Sequence, residues 1–427
     1  MKKIKLTIIG SGSTYTPELI EGIISKYDSL PIYQLDLMDI DSRKLNIVGG
    51  LVQRMIKAAD IPCEVRMIQS LDEALQNADF VLCQIRVGKL PARVLDEKIP
   101  LKYDLIGQET NGIGGFFKGM RTIPVMMDIA ARIKKICPAA WLINFTNPSG
   151  MLAEALLNNT AVKVISVCNV PINMIDSIKN KLNLPDAQVD YVGLNHLSWV
   201  TSIKFNQKDY LSEAIVQGIN SQAMKNIPVK GFTSELIRTV GAIPSSYLEY
   251  YYFKDSKLQL AKEAKKCRGE ICLDIEEELL KIYSDNELHV KPDLLSKRGG
   301  ARYSEVALNL VDSIYNDKKD IQVVNVLNNN ALDFMNPNDA VEIAARIGKN
   351  GAEPIKVDVN NNHIKEMMLM MKSYEKHAVN AALTGDEDEA LRALLINPLV
   401  GDYNKAYSCF QELKEAHQKY LPQFNKR

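Results

Sequence analysis

The chain has no excess charge of either sign. Its 52 Lys and Arg residues balance 52 Asp and Glu residues across 427 positions. With no net field, neither nucleic acid nor an anionic membrane is an expected partner. A disulfide framework is missing too. The seven cysteines (63, 83, 137, 168, 267, 272 and 409) are odd in number, and none is spaced C-x-x-C. Free thiols in a reducing compartment are the expectation. No apolar run is long enough to span a bilayer. The apolar run after Met1-Lys-Lys is short and meets Gly10–Ser13 rather than a cleavage site, so the expected location is cytoplasmic. No repeat and no Pro/Ser-rich linker divides the chain.

The remainder is an ordinary globular composition, 46% hydrophobic and 24% charged, long enough for two domains. Residues 4–9 read as a strand, followed by the turn Gly10-Ser-Gly12-Ser13-Thr14-Tyr15 and a helix with Pro17 in its first turn. A strand, a glycine turn and a helix N-terminus form an anion cradle. Only two of the three fingerprint glycines are present, since Tyr15 takes the third place. The next strand ends in Asp39, where the adenine ribose of NAD is held and a 2′-phosphate is repelled. Alternatively Asp39 caps the following helix. Helix 42–58, strand 64–68, helix 71–76 and strand 80–85 continue the alternation, which implies a parallel, doubly wound sheet.

At the expected ligand edge come Arg86, Lys89 and Arg93, a basic loop able to pair with phosphate or carboxylate. The glycine-rich stretch Gly107–Gly115 carries Glu109 and suits a loop lying over a ligand. A helix over about 120–135 leads to a strand ending in Asn147-Pro148. The β-branched run Val164–Val167 then ends at Cys168-Asn169-Val170-Pro171, and Tyr191–Leu194 delivers Asn195-His196. Taken alone, Cys168 is what any buried cysteine looks like, and His196 is a core histidine. A thiolate and an imidazole at two strand ends together can hold a divalent metal. From about 197 the pattern turns to helices, with a strand at 321–327 and helices near 364–384, 387–395 and 402–419. We place a boundary at 195, giving a cofactor-binding domain (1–195) and a C-terminal substrate, metal and oligomerisation domain (196–427). His289, His363, His377 and His417 read as surface residues.

In this order and spacing, Gly10–Ser13, Gly107–Gly115, Asn147-Pro-Ser, Cys168-Asn-Val-Pro171 and Gly193-Leu-Asn-His196 resemble glycoside hydrolase family 4 along essentially the whole chain. Among its members, the 6-phospho-β-glucosidases are the most similar. The usual two-carboxylate mechanism of glycoside hydrolysis does not extend to this NAD-dependent family. The resemblance implies a Rossmann-type sheet followed by a mostly helical α+β domain, as in lactate and malate dehydrogenases. It implies NAD and a divalent metal, usually Mn, as cofactors. It also implies sugar oxidation at C3, proton removal at C2, elimination and water addition.

Residue by residue, the resemblance makes Cys168 and His196 the metal ligands, Tyr247 the base, and Glu109 an acidic residue near that tyrosine. Gly10, Gly12, Ser13, Thr14, Asp39 and Asn147 are expected at the cofactor. Arg93, Asn147, Asn169, Arg268 and Arg298 are expected at the substrate. Asn169 stands where α-specific relatives carry a general-acid Asp, which favours β-glycosides and leaves the acid open. The expected substrate is a phosphorylated disaccharide or aryl glucoside, and the expected assembly a homodimer or homotetramer. The alternatives are a 6-phospho-α-glucosidase, or a dehydrogenase needing a His–Asp pair.

Overall fold

The computed structural model describes residues 3–220, 231–298 and 302–425. Six parallel strands form its first half: β1 (Ile4–Ile9), β2 (Ile32–Met38), β3 (Glu64–Ile68), β4 (Phe80–Cys83), β5 (Trp141–Asn144) and β6 (Lys163–Ser166). They lie in the order β3-β2-β1-β4-β5-β6, the doubly wound arrangement. Every residue of β1 is buried, as a strand covered on both faces requires. The crossover helices are α1 (Thr16–Ser25), α2 (Ser42–Ala58), α3 (Leu71–Leu75), α4 (Lys89–Lys98), α5 (Gly112–Ile136), α6 (Ser149–Asn159) and α7 (Val170–Leu182).

Beyond β7 (Gln188–Leu194) the chain is mostly helical but keeps feeding the same sheet. It adds β8 (Leu197–Phe205), β9 (Lys208–Asp209), β10 (Ile243–Pro244), β11 (Asp320–Leu327), β12 (Ala340–Gly348) and β13 (Gly351–Pro354). The strand order continues from β6 as β11-β12-β7-β8-β10, all antiparallel. The division at 195 falls in the two-residue turn between β7 and β8, so the sheet runs through it. The sequence pattern overlooks β8 and β12. Their alternation is masked by burial of both faces in β8 and by alanines in β12. Within this helical half, Lys254–Glu263 and Arg268–Tyr283 are two separate helices. Cys267 separates them and opens the second with a capping box to Glu270.

Three local expectations are corrected. Arg86–Arg93 is not one basic loop. Gly88 and Lys89, at φ +83° and +56°, turn the chain from β4 directly into α4, and Arg93 is buried on that helix. Gly112–Gly115 likewise open α5 rather than a loop. His417 is not a surface residue but fully buried, its Nε2 2.8 Å from Asp96 Oδ1. Asp96 also receives both terminal nitrogens of Arg121, at 2.8 and 2.6 Å. This buried triad ties the C-terminal segment to α4 and α5.

Among the described residues all seven cysteines are free, and no helix is long and apolar enough to cross a membrane.

Candidate active site

The glycine turn sits against the end of β2. Gly10 has φ +85°, and a side chain there would meet the Gln84 carbonyl at 3.0 Å. A Cβ on Gly12 would come within 2.8 Å of Asp39 Oδ2, which instead accepts the Gly12 N–H at 2.8 Å. The helix cap expected of Asp39 belongs to Asp41, whose Oδ1 accepts the Lys44 N–H at 3.1 Å. Asp39 therefore stands at the turn, at the edge where a ribose is held. Ser11 Oγ in the turn and Asn147 Oδ1 at the end of β5 are buried without a hydrogen-bond acceptor or donor opposite them among the described residues. Arg298 Nη1 donates to Thr14 Oγ1, adding a cation to the α1 N-terminus. These features fit a dinucleotide.

The carboxyl end of β6 delivers Cys168 to the N-terminus of α7. Burial pushes its thiol up, against the backbone N–H groups of Val170 and Asn169 and the Asn195 side chain. His196 occupies the β7–β8 turn at φ +65°, a left-handed conformation that aims its ring back over the sheet edge. Its Nε2 lies 3.5 Å from Cys168 Sγ. Its Nδ1 lies 2.8 Å from Thr110 Oγ1. The Thr110 hydroxyl gives its single proton to Gln108 Oε1 (2.8 Å) or Asn111 Oδ1 (3.1 Å), so its oxygen accepts from Nδ1–H. The Nε2 lone pair consequently faces the sulfur. Burial lowers the His196 pKa to about 3, leaving a neutral imidazole at physiological pH. Tyr247 is buried and stacks flat on His196, with ring centroids 3.6 Å apart and planes at 7°.

One thiol and one imidazole suit a divalent transition metal. Among the described residues no third His, Cys, Asp or Glu joins them, so the remaining coordination positions are left to small molecules. Open positions characterise catalytic rather than structural sites.

Glu109 lies in a pocket of cations. Its carboxylate meets Arg86 Nη1 at 2.7 Å, Arg93 Nη1 at 3.1 Å and Lys118 Nζ at 3.1 Å. Burial alone would raise its pKa, but Arg86, Arg93 and Lys118 override this and hold it well below the usual carboxylate range. Glu109 is therefore an anion around neutral pH. Burial and the charge of Arg86 lower Lys118 to about 7, against the pull of Glu109. Arg93 also binds Glu97 Oε1 at 2.7 Å, so its charge is shared between two carboxylates.

Arg268 uses Nη2 on the carbonyls of Lys297 (3.0 Å) and Arg298 (2.8 Å), which fastens the segment presenting Arg298. Asn169 is buried beside Cys168, with Oδ1 4.0 Å from Sγ.

The sequence pattern does not single out Thr110, Lys118 or Tyr303. Thr110 at least lies inside the glycine-rich stretch expected over a ligand. Lys118 carries no signal, being one lysine in a long helix. Tyr303 borders the site, edge-on to Tyr15 at 6.1 Å.

The pattern of family 4 glycosyl hydrolases matches residues 5–184, and that of their C-terminal domain matches 191–400. The chain is 43% identical to a probable 6-phospho-beta-glucosidase of Bacillus subtilis, over 99% of this chain and 98% of that one. It is 40% identical to the 6-phospho-beta-glucosidase of Escherichia coli, over 99% and 97%. The fold superposes on the 6-phospho-beta glucosidase of Thermotoga maritima solved with manganese, NAD+ and glucose-6-phosphate. That match has a TM-score of 0.89 and 30% identity, and covers 98% of this chain and 99% of that one. The glycine turn, the thiol–imidazole pair and two adjoining sequence matches along the chain lead to one assignment: this protein belongs to the family 4 glycosyl hydrolases.

Proposed function

We propose that the chain is a 6-phospho-β-glucosidase, hydrolysing phosphorylated β-glucosides such as cellobiose 6′-phosphate with NAD and a divalent metal, Mn first. The observation that carries this reading is the open pair Cys168–His196, 3.5 Å apart, with Tyr247 stacked on its histidine. The relatives at 43% and 40% identity carry the same activity in their names, over nearly their whole length.

In this reading Cys168 and His196 hold the metal, and the Gly10–Thr14 turn, Asp39 and Asn147 hold NAD. When bound, NAD supplies a reversible hydride acceptor for sugar C3, and the metal a positive charge beside the C2 and C3 oxygens. Tyr247, buried and stacked on His196, is the group placed to take the C2 proton, and a metal held by Cys168 and His196 would favour its phenolate. The leaving group would then depart from C1 with the C1–C2 double bond forming, water would add across that bond with its oxygen on C1 and a proton on C2, and return of the hydride to C3 would leave the hydrolysed sugar and no net oxidation. Asn169 orients a hydroxyl but has no acidic proton to give, which favours β- over α-glycosides. Arg93, Arg268 and Arg298 form the cationic side of the substrate place. The division at residue 195 belongs to this reading, and the two family patterns meet beside it. So do a cytoplasmic location, supported by the free cysteines, and a homodimer or homotetramer, to be read by light scattering.

The dehydrogenase alternative needs an Asp on the histidine. Here the His196 Nδ1 partner is the Thr110 hydroxyl.

The test is hydrolysis of p-nitrophenyl-β-glucoside 6-phosphate in D₂O with NAD+ and Mn2+. Deuterium at C2 of the product and loss of activity with EDTA are expected. Tyr247→Phe should lower kcat by about 10²–10⁴-fold, the range for loss of a general base. Cleavage without C2 exchange would refute the reading.

A further inference from the structure

Cys168 and His196 are 3.5 Å apart, yet the strands that deliver them are not neighbours. The sheet order there is β7-β12-β11-β6, so two strands lie between. Three strand spacings amount to roughly 14 Å at about 4.8 Å each. The two residues meet only because the chain leans inward past the strand ends. Something must hold both leaning arms in register.

Glu342 on β12 is placed to do this. It lies opposite Gly193 of β7 and is fully buried, at 0% exposure. Burying a carboxyl without a cation is unfavourable unless its oxygens are hydrogen-bonded. Among the described residues no Lys, Arg or His is within salt-bridge distance of it, and neutral donors serve instead. Oε1 accepts Asn195 Nδ2 at 2.9 Å and Asn325 Nδ2 at 3.2 Å, and Oε2 accepts the Tyr191 hydroxyl at 3.0 Å. Asn195 immediately precedes His196 in the β7–β8 turn, and its side chain also faces the Cys168 sulfur. Asn325 pairs with Ser166 of β6, and its Nδ2 reaches the Ser166 carbonyl at 3.3 Å. Cys168 is two residues further on. One oxygen atom is thus the common reference for both arms.

We propose that Glu342 is a positioning residue that sets the separation of Cys168 and His196 through Asn195 and Asn325. The proposal rests on the reading that this pair holds the divalent metal. It acts as supporting partners of metal ligands do, by fixing ligand orientation rather than by touching the ion.

The test uses the full chain with NAD, stripped by chelator and retitrated. The probes are Co2+, read by its thiolate-to-cobalt absorption in the near ultraviolet, and Mn2+, read by the resonance signal of the free ion. Glu342→Leu removes the shared acceptor. It should weaken Mn2+ binding by about 10- to 100-fold and diminish the cobalt–thiolate band. Glu342→Gln should restore both. Its amide oxygen accepts from Asn195 and Asn325 while its amide nitrogen donates to the Tyr191 hydroxyl. If Glu342→Leu does not fold, Asn195→Ala carries the test, with weakened metal binding again expected. A folded Glu342→Leu, or an Asn195→Ala, that binds metal with wild-type affinity and band intensity would overturn the proposal alone. So would a Glu342→Gln variant as impaired as Glu342→Leu. Absence of a thiolate band in the wild-type protein, unchanged by Cys168→Ser, would overturn the metal reading and this proposal with it.

Discussion

Replacing Glu109 by Gln removes the anion from a pocket holding three cations, and the structure sets what should follow. Arg86 is 27% exposed in its side chain, so water screens it and its loss is small. Arg93 retains Glu97 at 2.7 Å. Lys118 is the group left stranded. Its side chain is 4% exposed, and among the described residues Glu109 is the only carboxylate within salt-bridge distance. A buried charge without its partner sheds its proton when its pKa allows. With Glu109 in place Lys118 already titrates at about 7, far below its ordinary 10.5. A folded pKa below the unfolded one means that stability rises with pH between those two values, and that the full penalty applies below the lower one. Removing Glu109 pushes the folded pKa further down. Above pH 7 Lys118 is neutral in both proteins, and the variant's deficit is modest. Below pH 7 only the wild type keeps the ammonium satisfied. The deficit therefore widens as pH falls, by about 1.4 kcal/mol per pH unit. Differential scanning calorimetry at pH 6, 7 and 8 measures it. Because Lys118 is still about half protonated at pH 7, the deficit grows by about 1 kcal/mol from pH 7 to pH 6, and at about 2 °C per kcal/mol, the scale for large domains, the difference in Tm between wild type and variant should grow by about 2 °C. The double variant Glu109→Gln/Lys118→Met should lose this pH dependence, because a cation and an anion leave together. A Glu109→Gln deficit that stays constant from pH 6 to 8 would show that Lys118 is not governed by Glu109, and the reasoning would fail.

Two other outcomes follow from named contacts. Thr110→Val keeps the volume but removes the oxygen that accepts His196 Nδ1–H at 2.8 Å. Mn2+ affinity should fall by about 10- to 100-fold in a metal titration while the melting temperature changes little. Asp96→Asn leaves Arg121 and His417 in the core without their shared carboxylate. A loss of about 3–5 kcal/mol is expected in urea unfolding, the range for breaking a buried ion pair from one side.

Local patterns are legible wherever the chain's chemistry is short-ranged. Strand β1, the glycine turn and Pro17 announce one another over a dozen residues, because a strand end, a tight turn and a helix start each demand particular backbone freedom. Cys168 and His196 can be marked from sequence since each follows a β-branched or aromatic strand directly. What they face cannot. The Glu109 pocket draws on α4, α5 and the strand β4 edge, and no interval among residues 86, 93 and 118 signals that they converge. His417 reads as surface in a polar C-terminal segment and lies buried against Asp96, 321 residues earlier in the chain.

By itself, then, the sequence determined the alternation of strands and helices, the glycine turn, and the thiol and imidazole at two strand ends, features that depend on residue type and spacing within a few turns of chain. The phenol of Tyr247 was marked only by the resemblance to the family, and its place against His196 by the fold. The tertiary structure alone decided that β11 and β12 enter between β6 and β7, carrying Asn325 and Glu342 between the segments that deliver Cys168 and His196. It also decided that Arg86, Arg93 and Lys118 close on Glu109 and hold its carboxyl well below the usual range. Strand order and charge proximity are set by how apolar faces pack over the whole chain. A residue's neighbours in sequence say little about which distant side chain will share its burial.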